Sequence, residues 1–224
     1  MKETKKVIIF GTGGNSVDIL DTINDINLSL KEKKYECLGF LDDNKDNLGK
    51  DILGVKILGP LTSASDYDKE VYFVNGIGSP SNFLKKEEII KKTKIPIERF
   101  ETIIHPTASV SRTSKIGRGV VIFQNVTITS NVAIGNHVII LPNTVISHDN
   151  IIGDYTCITG GVSISGNVKV GKLCYLGTNS TIIGNTRVGD CCLIGMGSVI
   201  LEDIPDNSVF VGNPGKFLKH TKEL

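Results

Sequence analysis

With 224 residues, the chain has room for one large domain or two small ones. Its 25 basic and 24 acidic residues nearly cancel, which excludes a basic footprint for nucleic acid and a polybasic membrane anchor. No apolar run approaches the ~18 residues of a spanning helix, and Met1 to Lys6 lead into only four apolar residues, too few for a signal peptide.

Residues 6–10 (KVIIF) read as a buried strand, and Gly11-Thr12-Gly13-Gly14-Asn15 as the turn after it. Val17, Leu20, Ile23 and Ile26 then follow helical spacing. Residues 37–41 (CLGFL) form the next expected strand, ending at Asp42-Asp43. A third covers 71–74 and ends at Asn75-Gly76-Ile77-Gly78. A helix is expected over 85–92 and a last strand over 100–104. Alternating strands and helices imply a short parallel sheet, whose ligands lie beyond the carboxyl ends of the strands. The glycine turn, Asp42-Asp43 and Gly78 all fall at that edge. The turn is GxGG rather than a full dinucleotide fingerprint, so it reads either as a phosphate or sugar cradle or as a tight strand-to-helix turn. Asp42 and Asp43 either accept hydrogen bonds from a base or ribose, or cap a loop.

The composition changes near Glu101 to Pro106. Residues 1–100 carry 32 charged side chains and residues 113–200 carry eight. Every sixth residue from Ile104 to Ile200 is Ile, Val or Leu, seventeen positions without a gap. Two residues before most of them stands a small or β-branched residue; Asn150 breaks that second series. A helix needs a period near 3.6 and a lone strand a period of two. Period six with two inward positions fits a short strand and a turn, three of which close an 18-residue triangular coil. Gly often follows the aliphatic position and is expected to relieve the corners. We therefore expect two domains, 1–103 and 104–224. The five cysteines have no metal-type spacing and suit reduced thiols in a cytosol. With Trp absent, the core must be aliphatic.

The hexads resemble the hexapeptide-repeat family of acyltransferases, which implies a left-handed parallel β-helix. Handedness comes from the resemblance alone, because it runs against the usual crossover rule. The segment from Phe210 to Lys216 matches the tail that closes many members' helices. Together with the Rossmann-like N-terminal sheet, the motifs Phe40-Leu41-Asp42-Asp43, Ile104-His105-Pro106-Thr107-Ala108, Ile146-Ser147-His148-Asp149 and Gly166-Asn167-Val168-Lys169-Val170-Gly171 narrow this. They resemble the nucleotide-sugar N-acetyltransferases of bacterial glycan synthesis, of the bacillosamine and perosamine type. Sialic acid O-acetyltransferases share the architecture.

The resemblance implies a cytoplasmic homotrimer with sites between adjacent prisms and no metal. It implies transfer of acetyl from acetyl-CoA to the amine of a nucleotide-linked amino sugar. His148 is then the general base and Asp149 orients it. An imidazole titrates near ~6.5, which suits that task. Acetyl-CoA would lie by Cys157, Gly166, Thr178 and Met196, with the Gly166 N–H facing the thioester oxygen. The nucleotide sugar would lie by Gly13, Gly14, Asn15, Asp42, Asp43 and Gly78. His105 is expected to be structural, and His137 to lie on the surface or near a neighbouring site. The chain departs from many relatives at Asn15 (often His), at Leu141 (often Asn), and in lacking an Arg soon after Gly78. An O-acetyltransferase or a non-catalytic nucleotide-sugar scaffold are the alternative readings.

Overall fold

A computed structural model describes residues 4–224; Met1 to Glu3, part of the N-terminal stretch read above as no signal peptide, lie outside the described residues. Strand β1 (Lys5–Phe10) is followed by helix α1 (Gly14–Leu30) and strand β2 (Tyr35–Leu41). A short antiparallel hairpin then pairs β3 (Asp51–Ile52) with β4 (Val55–Gly59). Strand β5 (Val71–Asn75) and helix α2 (Lys86–Lys92) complete the unit. The strand order is β3-β4-β2-β1-β5, with β4, β2, β1 and β5 parallel. The hairpin is new relative to the sequence expectation, because its two-residue strand offers no periodicity to read. The last strand also differs. Phe100 makes only an isolated bridge to Phe73, and the chain turns before Ile103–Ile104.

Seventeen two-residue strands run from Ile103–Ile104 to Val199–Ile200, each ending on a residue of the six-residue series. Each strand up to Thr181–Ile182 pairs in parallel with the strand eighteen residues on, as in Ile139↔Cys157 and Ile140↔Ile158. The strands stack into three sheets, and the winding is the left-handed β-helix that the family resemblance led us to expect. From Ile122 onward every residue of the series is buried, whereas Ile104, at the open first coil, is 37% exposed. Burying a side chain of this size contributes ~1.5–3 kcal/mol, so this column supplies an interior without Trp. Beyond Ile200 the strand Ser208–Val211 extends one sheet, and Lys216–His220 pairs back onto it antiparallel, so Phe210 joins the core.

The corners differ from expectation in an informative way. A left-handed backbone recurs every six residues from Gly119 to Gly197, at fourteen positions, and Asn is the residue found there most often: Asn125, Asn131, Asn143, Asn167, Asn179 and Asn185. Asn tolerates that conformation better than most side chains. The glycines after the aliphatic residues serve close approach instead. A Cβ on Gly153, for example, would come 2.5 Å from Gly171 and Lys172 backbone atoms of the next coil.

One face of the prism packs against the N-terminal sheet. Its outward residues Ile103, Val121 and Ile139 join Val7, Ile9, Phe40 and Val74 in one apolar cluster. His105 pins α1 to this face. Its Nδ1 accepts from the Thr107 N–H at 3.1 Å, and its Nε2 lies 3.0 Å from Asp25 Oδ2.

Candidate active site

The structure brings the six residues assigned to the sugar nucleotide into one cleft of roughly 520 Å³. Gly13, Gly14, Asn15, Asp42, Asp43 and Gly78 all line it. The cleft forms where β1, β2 and β5 end. Helix α1 has Gly13 at its N-cap, with no side-chain cap and no acidic residue in its first turn, so its first N–H groups are free to meet an anion. Asn15 Nδ2 donates to the Gly78 carbonyl at 3.0 Å and ties the two turns together. The acidic pair also holds loops. Asp43 Oδ1 accepts from the Leu61 N–H at 2.9 Å, and Asp42 accepts from the Thr12 hydroxyl and the Asn44 N–H, both at 2.7 Å.

His148 and Asp149 project from a corner of the prism, with side chains 61% and 52% exposed. His148 Nδ1 lies 2.7 Å from Asp149 Oδ2. Asp149 adopts the left-handed corner conformation (φ 61). Its Oδ1 accepts from Asn131 Nδ2, one coil below, at 3.3 Å. These two hydrogen bonds, the one from His148 first, hold the Asp149 carboxyl below its ordinary range. With the proton on Nδ1 facing the carboxylate, Nε2 is left free to accept one. The ring lies over Gly166 of the next coil. A Cβ there would come 2.5 Å from His148 Cε1 and 2.6 Å from Nε2. Asn131 was missed from the sequence; its signal is a spacing of eighteen residues from Asp149.

The residues assigned to acetyl-CoA do not all meet. Gly166 shares the corner of His148, whereas Thr178 and Met196 stand exposed on another corner. The assignment of Cys157 to acetyl-CoA is corrected by its burial. This cysteine is buried beneath the N-terminal unit, its Sγ 3.5 Å from Lys86 Nζ and close to Gly78. Lys86 itself is fully buried, and burial pulls its pKa down. A thiol is a poor partner for a desolvated ammonium. Lys86→Met, of similar length, is therefore expected to leave stability unchanged or raise it by ~1 kcal/mol or more, read by urea unfolding; a clear loss would show that the ammonium holds the junction.

His137 is a second correction. It is neither on the surface nor near an open site, but 1% exposed at the same junction. Its ring stacks on Tyr155 at 5.0 Å and meets Phe100 edge-on at 4.5 Å. Burial first, then the nearby Lys86 charge, push its pKa down to about 3. Among the described residues no group of three or more His, Cys, Asp or Glu side chains is placed to hold a metal, and no helix is long and apolar enough to cross a membrane.

A small α/β sheet with a glycine-turn cleft, set on a hexad prism, defines a two-part hexapeptide-repeat protein. Residues 6–92 match the PglD N-terminal domain family and residues 113–148 match the bacterial transferase hexapeptide (six repeats), so one segment of the chain is similar to each, in line with the resemblance read from its motifs. No curated protein matches the sequence. Among solved structures, the chain is similar to the acetyltransferase domain of PglB from Neisseria gonorrhoeae FA1090 in complex with acetyl coenzyme A. The TM-score is 0.83 and the identity 25%, over 96% of this chain and 100% of that one. PerB from Caulobacter crescentus, in complex with CoA and GDP-perosamine, has a TM-score of 0.80 and 24% identity over 96% and 97% of the two chains. WeeI from Acinetobacter baumannii AYE has a TM-score of 0.79 and 21% identity over 95% and 99%. The last two likenesses speak to the fold.

Proposed function

We propose that the chain is an acetyl-CoA-dependent N-acetyltransferase acting on a nucleotide-linked amino sugar. The observation that carries this reading is the outward His148–Asp149 pair, closed at 2.7 Å and seated over Gly166. The relatives described with acetyl coenzyme A, and with CoA and GDP-perosamine, support the two substrate classes.

In this mechanism the sugar amine attacks the thioester carbonyl. His148 Nε2 takes a proton from the amine as the C–N bond forms, and Asp149 stabilises the resulting imidazolium. The Gly166 N–H, which has no partner among the described residues, faces the developing oxyanion. The C–S bond then breaks, the departing sulfur takes the proton from the His148 imidazolium, and CoA leaves as the thiol with the base restored. Gly13, Gly14 and Asn15 hold the nucleotide, with Asp42, Asp43 and Gly78 around it. Thr178 and Met196, on a different corner from His148, fit a site shared by two prisms of a homotrimer. The units 1–103 and 104–224 divide the work between acceptor binding and transfer, in the cytoplasm.

Gly166→Ala should keep the fold, because His148 can swing outward, but should lower turnover ~10-fold by displacing the base. The function itself is tested by thiol release from acetyl-CoA with UDP-, dTDP- and GDP-linked amino sugars beside free sialic acid. Release with an amino sugar supports N-transfer. Release with sialic acid alone redirects the reading to O-transfer, and tight nucleotide-sugar binding without release to a scaffold.

A further inference from the structure

Asn150 is the amide in an inward series otherwise made of small or β-branched residues, and it directly follows His148 and Asp149. Its side chain is fully buried, and every polar function on it is used. Nδ2 donates to the Ser147 carbonyl at 2.7 Å and to the Ser165 carbonyl at 2.9 Å; Oδ1 accepts from the Val168 N–H at 2.6 Å. The first bond lies within the turn that carries His148. The other two reach the next coil, on either side of Gly166.

The neighbouring hexads show what a hydroxyl does in the same place. Thr156 donates to the Gly171 carbonyl at 2.9 Å and accepts from the Cys174 N–H at 3.1 Å, so it serves the next coil alone. Thr144 shares its single proton between the carbonyls of Leu141 and Thr159. Only an amide has two protons and an acceptor to hold its own turn and both flanks of the turn above. The bland account, a satisfied buried polar group, would be met by Thr, as it is one hexad away.

We infer that Asn150 is a positioning residue, which fixes the His148 turn at a set height over Gly166. This rests on the reading of His148 as the base. The ring and Gly166 leave no slack, so a small shift of the turn changes the angle between base and oxyanion donor.

The test is Asn150→Thr, which on the Thr156 pattern keeps the two bonds to the next coil and loses the one to Ser147, and on the Thr144 pattern has only one shared proton for both turns. The expected result is an unchanged melting temperature, kcat lower by ~10-fold and KM for both substrates unchanged. The 15N spectrum of the His148 ring should also change, from one tautomer with the proton on Nδ1 to a mixture. Wild-type kcat together with a wild-type ring spectrum would overturn the proposal. Asn150→Ser replaces the Thr variant if the added methyl prevents folding. If the wild type releases no thiol with any acceptor, the functional reading fails, and the ring spectra still decide whether Asn150 holds His148.

Discussion

Replacing His148 with Ala is expected to lower turnover at least ~100-fold while leaving the fold and the sugar-nucleotide cleft intact. The imidazole is 61% exposed, and it meets Asp149 and the space over Gly166. Removing such a group costs little stability, typically within ~0.5 kcal/mol. The cleft above Gly13 and Gly14 is lined by none of the prism's residues, so binding there should not change. Turnover is a different matter, because the amine proton then has no acceptor beside the thioester. Thiol release at saturating acetyl-CoA, with equilibrium binding of the nucleotide sugar, separates the two effects. Near-normal release by the variant would remove His148 as the base.

Acid is expected to destabilise the protein through His137 well above the range where carboxylates titrate. Its folded pKa of about 3 lies below the 6.5 of a free imidazole. The unfolded chain therefore binds the proton more readily. The contribution to stability is complete above pH 6.5 and falls as the pH drops toward 3, by ~1.4 kcal/mol per pH unit. Between pH 6.5 and 4.5 the loss reaches ~3 kcal/mol, a large part of a typical domain's margin. His137→Asn supplies the control. It keeps the left-handed corner that Asn131 and Asn143 adopt, but does not titrate. Urea unfolding of both proteins at pH 7, 6, 5 and 4 should give a steeper decline for the wild type. Parallel declines would assign the acid sensitivity to other groups.

The prism could be read from its sequence because every coil repeats one demand, an aliphatic side chain pointing inward. His148 and Asp149 could be read for the opposite reason. They are polar, outward and adjacent on a charge-poor surface. What escaped lies at the junction. Lys86 sits in a lysine-rich helix, where it looks like any solvated charge, and only the packing of α2 onto the prism buries it. Cys157 and His137 escaped with it, since an outward place in a hexad reads as exposed until another unit covers it. One signal was present and unused. The outward residue before the aliphatic position is Ile103, Val121, Ile139, Cys157 and Tyr175 on the covered face, against Ser109, Thr127, Val145, Ser163 and Thr181 on another. An apolar stripe of period eighteen marks the face that meets the N-terminal sheet. The Asn corners were legible by the same count, but their meaning needed the backbone angles.

The unbroken coil register makes the prism a ruler. Ile146, beside the His148 turn, lies 42 residues after Ile104, which is two coils and one face, or ~11 Å along the axis. Deleting eighteen residues between them would keep every inward side chain inward and bring His148 closer to the N-terminal cleft by ~4.8 Å. Deleting a single residue would throw all later side chains out of phase. Reach between cleft and base can therefore change only in whole-coil steps, so the span of the molecule that bridges them is quantised by the fold.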